Sequence, residues 1–141
     1  MKSKKPILVV EDDRVDAMTV KRSLKELNIT NHVEIAGNGE EALAYLRNPQ
    51  QEKPCIILLD LNMPRMSGIE FLRIIKHDNA FKWIPVVILT TSRDDQDKIE
   101  SFNLGVAGYM SKPVDYWQCV EDVKTINLYW TLSEMPNGEA L

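Results

Sequence analysis

The chain is sparing with the residues that mark several common protein classes, and each shortage removes a class. Its 141 residues hold two cysteines, Cys55 inside an apolar run and Cys119 in a helical stretch. Neither has CxxC or metal-type spacing, so the sequence predicts two free thiols serving as small core residues. Seventeen basic residues stand against 21 acidic ones, a net charge of −4, and no lysine and arginine cluster interleaves with aromatics. The electrostatic footprint of a nucleic-acid binder is missing. Long apolar runs are missing too. After the basic start Met1-Lys2-Ser3-Lys4-Lys5-Pro6, four apolar residues are cut off by acids, too few for a signal peptide or a bilayer span. A cytoplasmic protein with no membrane or nucleic-acid partner is expected. No internal repeat or low-complexity segment is visible.

What is present suits one domain with a sizeable core, since 44% of the residues are hydrophobic. Four apolar runs end in polar groups. Ile7-Leu8-Val9-Val10 stops at Glu11-Asp12-Asp13, and Cys55-Ile56-Ile57-Leu58-Leu59 stops at Asp60. Val86-Val87-Ile88-Leu89 stops at Thr90-Thr91, and Gly108-Tyr109-Met110-Ser111 stops at Lys112-Pro113. Apolar runs without alternation read as parallel strands covered on both faces, and open α/β sheets bind ligands at the carboxyl ends of such strands.

Helical spacing fills the gaps. Ala17, Val20, Leu24 and Leu27 share one face, and Val33 and Ile35 alternate with polar neighbours as a short second strand. Asn38-Gly39 turns into a helix carrying Ala42, Leu43 and Leu46, ended by Pro49, and Ser67-Gly68 precedes one carrying Ile69, Leu72 and Ile75. A fourth helix spans roughly Asp95 to Leu104 with Gly105 as its stop, and Asp115 is placed to cap a last one bearing Tyr116, Val120 and Val123. Five strands alternating with five helices predict an α/β fold, a doubly wound parallel sheet with helices on both faces.

The strand ends carry chemistry if they converge. Glu11, Asp12 and Asp60 are hard oxygen donors suited to Mg²⁺, and carboxylates gathered this closely need a cation or an ammonium such as that of Lys112 to stay ionised. A carboxylate so placed can attack phosphorus and form an aspartyl-phosphate. Singly, each group has an ordinary explanation: a solvated acid pair, a turn cap, a strand-end hydroxyl, a surface lysine. Together, in this order at four strand ends, those explanations fail.

Through VVEDD at 9–13, LLDLNMPRMSG at 58–68, ILTTS at 88–92 and GYMSKP at 108–113, the chain resembles the receiver domain of bacterial two-component response regulators. The resemblance runs from about Pro6 to the last helix. It implies a flavodoxin-like receiver topology over residues 6–127, with 128–141 as an extension and no output domain. Asp60 would be the phosphoacceptor for a sensor histidine kinase, Asp12 a direct Mg²⁺ ligand, Glu11 a ligand through water and Asn62 a ligand by its backbone carbonyl. Lys112 would pair with the phosphoryl group, its peptide to Pro113 being cis. Thr90 would turn its hydroxyl toward that group, and Tyr109 would follow from an outward to an inward rotamer. Asp13 would neighbour the metal without binding it. The added charge and acceptor oxygens would then bias the surface of the last two strands and helices.

Two other readings compete. An enzyme that turns over an outside substrate through an aspartyl-phosphate, of the kind that resembles the dehalogenase superfamily, wants a second acid two residues after the nucleophile, where this chain has Asn62. A receiver that is never phosphorylated would leave some chemical position unfilled, and all are filled. The expectation is therefore a signalling protein that catalyses only its own phosphorylation and dephosphorylation, with an intermediate carrier in a multistep phosphorelay as the alternative. Phe81-Lys82-Trp83-Ile84-Pro85, Leu128-Tyr129-Trp130 and Met135-Pro136 also resemble, more loosely, stand-alone regulators paired with bacterial phytochromes. The apolar residues beyond Val123 either fold back on the domain or, through Tyr129 and Trp130, form a homodimer contact.

Overall fold

The computed structural model describes residues 3–132. Its elements run β1 (Ile7–Val10), α1 (Arg14–Glu26), β2 (Val33–Ala36), α2 (Gly39–Arg47), β3 (Ile56–Leu59), α3 (Gly68–Lys76), β4 (Val86–Thr90), α4 (Asp95–Asn103), β5 (Gly108–Ser111) and α5 (Tyr116–Leu132). All strand pairs are parallel, in the order β2-β1-β3-β4-β5. The winding direction reverses between β1 and β3, the place where a doubly wound sheet opens a crevice.

Alternation along the strands divides the core in two. Leu8, Val10, Ile57, Leu59, Val86 and Ile88 point to one face and pack with Leu43, Leu46, Phe71 and Leu72 of α2 and α3. Ile7, Val9, Ile56, Leu58, Val87 and Leu89 point to the other and pack with Leu24 of α1 and Val123 and Ile126 of α5. Because every residue of β1, β3 and β4 is buried, the runs show no polar alternation. Cys55 and Cys119 are both buried in the core and outside any disulfide, the Cys55 thiol donating to the carbonyl of Lys5.

Side-chain caps start the helices where the sequence marked them. Asn38, Ser67 and Asp94 accept backbone N–H groups at the first turns of α2, α3 and α4. Asp115 Oδ1 accepts from the N–H of Gln118 at the head of α5, 2.8 Å away. Gly105, at φ 84°, ends α4 in the left-handed conformation, with the N–H of Val106 reaching back to the carbonyl of Ser101. The last helix runs on into the extension beyond residue 127 as far as Leu132. Trp130 is buried against the α1/α5 face of the sheet, whereas Leu128 and Tyr129 are exposed. Met135 and Pro136 lie outside the described residues.

Candidate functional site

Strand register places the polar groups together before any side chain is considered. Val10 pairs with Leu59, Leu59 with Ile88, and Thr90 with Ser111, so the residues that follow leave the sheet side by side. Backbone bonds pin them: the N–H of Glu11 donates to Ala36, that of Asp60 to Val10 and that of Lys112 to Thr90. Glu11 and Asp60 are buried at 7% and 4% exposure, while Asp12 is exposed. The three acids present carboxylate oxygens within 4.8 Å of one another.

Lys112 closes this acidic cluster. Its Nζ lies 2.6 Å from Glu11 Oε1, 2.8 Å from Asp16 Oδ2 and 3.2 Å from Asp60 Oδ2. Burial works against its ammonium, but the hydrogen bonds to Asp16 and Glu11 and the charges of Glu11 and Asp60 outweigh burial and hold its pKa above the usual lysine range. Burial pushes Glu11 the other way from an ordinary carboxylate, up to about 7, with Asp60 adding to the rise and the hydrogen bond from Lys112 opposing it. Hard oxygen donors, one of them open to solvent, fit a divalent cation that keeps some of its waters.

The remaining predicted residues surround this centre. The N–H of Asn62 donates to Asp60 Oδ1 at 3.3 Å, and its side-chain amide reaches Thr91 Oγ1 at 3.4 Å, tying the loop after β3 to the end of β4. Thr90 is buried, its hydroxyl accepting the N–H of Ser92 at 3.1 Å. Tyr109 pairs with Ile88, so its side chain shares the sheet face of Thr90. Its ring sits 6.2 Å from that of Phe102 and under Lys98, and its buried hydroxyl, close to Ser92, makes no hydrogen bond of ordinary geometry. Asp13 proves to be the cap of α1, its Oδ1 accepting the N–H groups of Val15 and Asp16 at 2.9 and 3.1 Å.

One expectation is corrected. The Lys112-Pro113 peptide is trans, and no described peptide bond is cis. Trans remains the preferred form of a bond to proline by about 0.5–1 kcal/mol, so a cis bond needs a turn that imposes it.

Two residues escaped the sequence reading. Asp16 is a third partner of Lys112, 96 positions away in the chain, and its only local signal is an acid in the first turn of α1. Gly68 was visible only as the start of α3. A Cβ there would lie 2.4 Å from the carbonyl oxygen of Asp60 and 2.6 Å from Leu61 Cα, so the helix packs directly on the backbone that carries Asp60.

Comparison with known proteins agrees with this arrangement. The chain is 37% identical over 130 residues to response regulator Rcp1 of Synechocystis sp., covering 89% of this chain and 88% of that one. It is 36% identical over 127 residues to the probable methanogenesis regulatory protein FilR2 of Methanothrix harundinacea, covering 88% and 82%. Among solved structures, the phosphorylated cyanobacterial phytochrome response regulator RcpA superposes with a TM-score of 0.87 at 35% identity, over 95% of this chain and 99% of that one. The Mn²⁺-bound form of Rcp1 superposes with a TM-score of 0.84 at 36% identity, over 94% and 99%. These relatives are matched over most of their own length by a single receiver unit. The family model described as response regulator receiver domain matches residues 7–124, and with five parallel strands in this order and an acidic cluster beside a lysine at their ends, the chain belongs to that family.

Proposed function

We propose that Asp60 takes a phosphoryl group from a phosphohistidine of a sensor histidine kinase and stores it as an aspartyl-phosphate. The observation that carries this reading is the cluster at the strand ends: Asp60 buried beside Glu11 and Asp12, with Lys112 Nζ 3.2 Å from its carboxylate. In the transfer an Asp60 oxygen attacks phosphorus and the P–N bond breaks, its electron pair leaving with the imidazole nitrogen, which takes up a proton. Asp60, Asp12, Glu11 through water and Asn62 by its backbone carbonyl would hold Mg²⁺, which when bound would neutralise charge on the transferring oxygens. Lys112 meets the phosphoryl oxygens with its ammonium. Thr90 gives up the N–H of Ser92 and turns its hydroxyl to the same group, and Tyr109, on the same sheet face, moves with it.

The donor we favour is a light-sensing kinase of the bacterial phytochrome type. Its support is the likeness to RcpA, and to a regulator described as acting in red light signalling of R. palustris, which superposes with a TM-score of 0.82 at 27% identity. Rcp1 and RcpA, matched over most of their own length, are named as response regulators, and an intermediate relay carrier is set aside. We also propose a homodimer contact on the exposed side of α5 through Leu128 and Tyr129. Trp130 drops out of that contact because its indole fills the core of its own domain.

Intact mass after incubation with Mg²⁺ and a small phosphodonor tests the central step. Wild-type protein gains one labile phosphoryl group and Asp60→Asn gains none. An adduct on both, or on neither with beryllofluoride also failing to bind, contradicts the reading.

A further inference from the structure

Lys112 has three N–H donors and three carboxylate partners, so its ammonium is fully engaged before any phosphoryl group arrives. The shares are unequal. Glu11 and Asp16 hold it at 2.6 and 2.8 Å, whereas Asp60 stands at 3.2 Å, and the two short contacts draw the ammonium toward α1. Both ends of the Asp16 contact are braced. The N–H of Asp16 is capped by Asp13, and the N–H of Lys112 is bonded to Thr90. With both backbones held, a shift of Lys112 toward Asp60 comes from its side chain and lengthens the Asp16 contact.

We propose that Asp16 is a positioning residue that competes with the phosphoryl group for Lys112, holding the ammonium on α1 in the resting protein and releasing it on activation. The inference rests on the role of Asp60 proposed above and adds to it a specific opponent. A phosphoryl group attached to one carboxylate oxygen of Asp60 offers Lys112 new anionic acceptors, and Asp16 is the partner with least to lose. Its side chain is 44% exposed and water can replace the lysine, whereas Glu11 is buried at 7% and would be left with its charge uncovered. Release also has a mechanical consequence. Asp16 lies in the first turn of α1 and Lys112 just before α5, so the contact joins two helices that pack together on one sheet face. The same event that secures the phosphoryl group unties the head of α1 from the β5–α5 connection.

The sign of one binding constant decides the matter. With Mg²⁺ present, beryllofluoride titrated onto Asp16→Asn binds about fivefold tighter than onto wild type, the scale expected when one partly exposed ion-pair competitor is removed. Asp16→Glu, which keeps the carboxylate, stays within twofold of wild type. In a Lys112→Ala background the Asp16→Asn change has no effect on that affinity. A residue that only supports the fold gives the opposite result, since its loss weakens anion binding with or without Lys112. If wild type binds and Asp16→Asn binds equally or more weakly, the competition is refuted while the role of Asp60 stands. If wild type itself fails to bind, the role of Asp60 fails and the competition with it.

Discussion

At Glu11 two physical effects oppose each other. Burial, with Asp60 adding to it, lifts its carboxyl from 4.5 to about 7 even against the hydrogen bond and charge of Lys112. Folding therefore favours the protonated form of this group. The stability that gives is whole below about pH 4.5 and is lost as pH rises through about 7 in the metal-free protein. A cation needs the carboxylate, so a proton competes with it in the same window. Calorimetric titration with Mg²⁺ at a series of pH values is expected to show affinity weakening as pH falls through about 7, with Glu11→Gln weaker at high pH and nearly flat below it. An equal pH dependence in Glu11→Gln would assign the proton elsewhere. Most of the residues in this centre were legible because each ends an apolar run: Glu11, Asp12, Asp60, Thr90 and Lys112. Asp16 and Gly68 were not, since a pairing across 96 positions and a close approach of two backbones leave no periodic trace in one chain.

Among the elements, the strands were the easiest to read and the far end of α5 the hardest. Burial on both faces writes β1, β3 and β4 into the chain as unbroken apolar runs. α4 is different. Ser101 is its one buried residue, and Ile99 and Phe102 are each 53% exposed, so little burial holds it and a change at Tyr109 beneath can reposition it. α5 carries a mixed message past Val123, because apolar residues on two sides of a helix do not say which side faces home. The structure divides them, with Ile126 and Trp130 buried and Leu128 and Tyr129 exposed. Trp130→Ala is accordingly expected to cost about 3 kcal/mol of unfolding free energy, the usual loss for a large buried aromatic, read from the denaturant midpoint. Tyr129→Ala, which removes an exposed ring packed edge-on against Trp130, is expected to cost about 1 kcal/mol or less. Equal losses would mean that α5 is seated differently.

Taken whole, the molecule is a sheet whose buried strands aim polar groups at one edge while its helices offer surfaces for the readout. No helix among the described residues is long and apolar enough to cross a membrane. If the exposed side of α5 joins two copies, sedimentation of the full chain shows a concentration-dependent dimer that is lost in Leu128→Ser with Tyr129→Ser. A monomer at every concentration for both proteins removes the dimer without touching the chemistry. The direct measurement of that chemistry is borohydride reduction of the protein after phosphorylation with Mg²⁺ and a small phosphodonor. An acyl phosphate is reduced to an alcohol, so peptide mapping finds homoserine at position 60 and nowhere else. Homoserine at Asp12 or 2-amino-5-hydroxypentanoate at Glu11, or no reduced residue in a protein that has gained phosphate, would contradict the assignment of Asp60 as the phosphoacceptor.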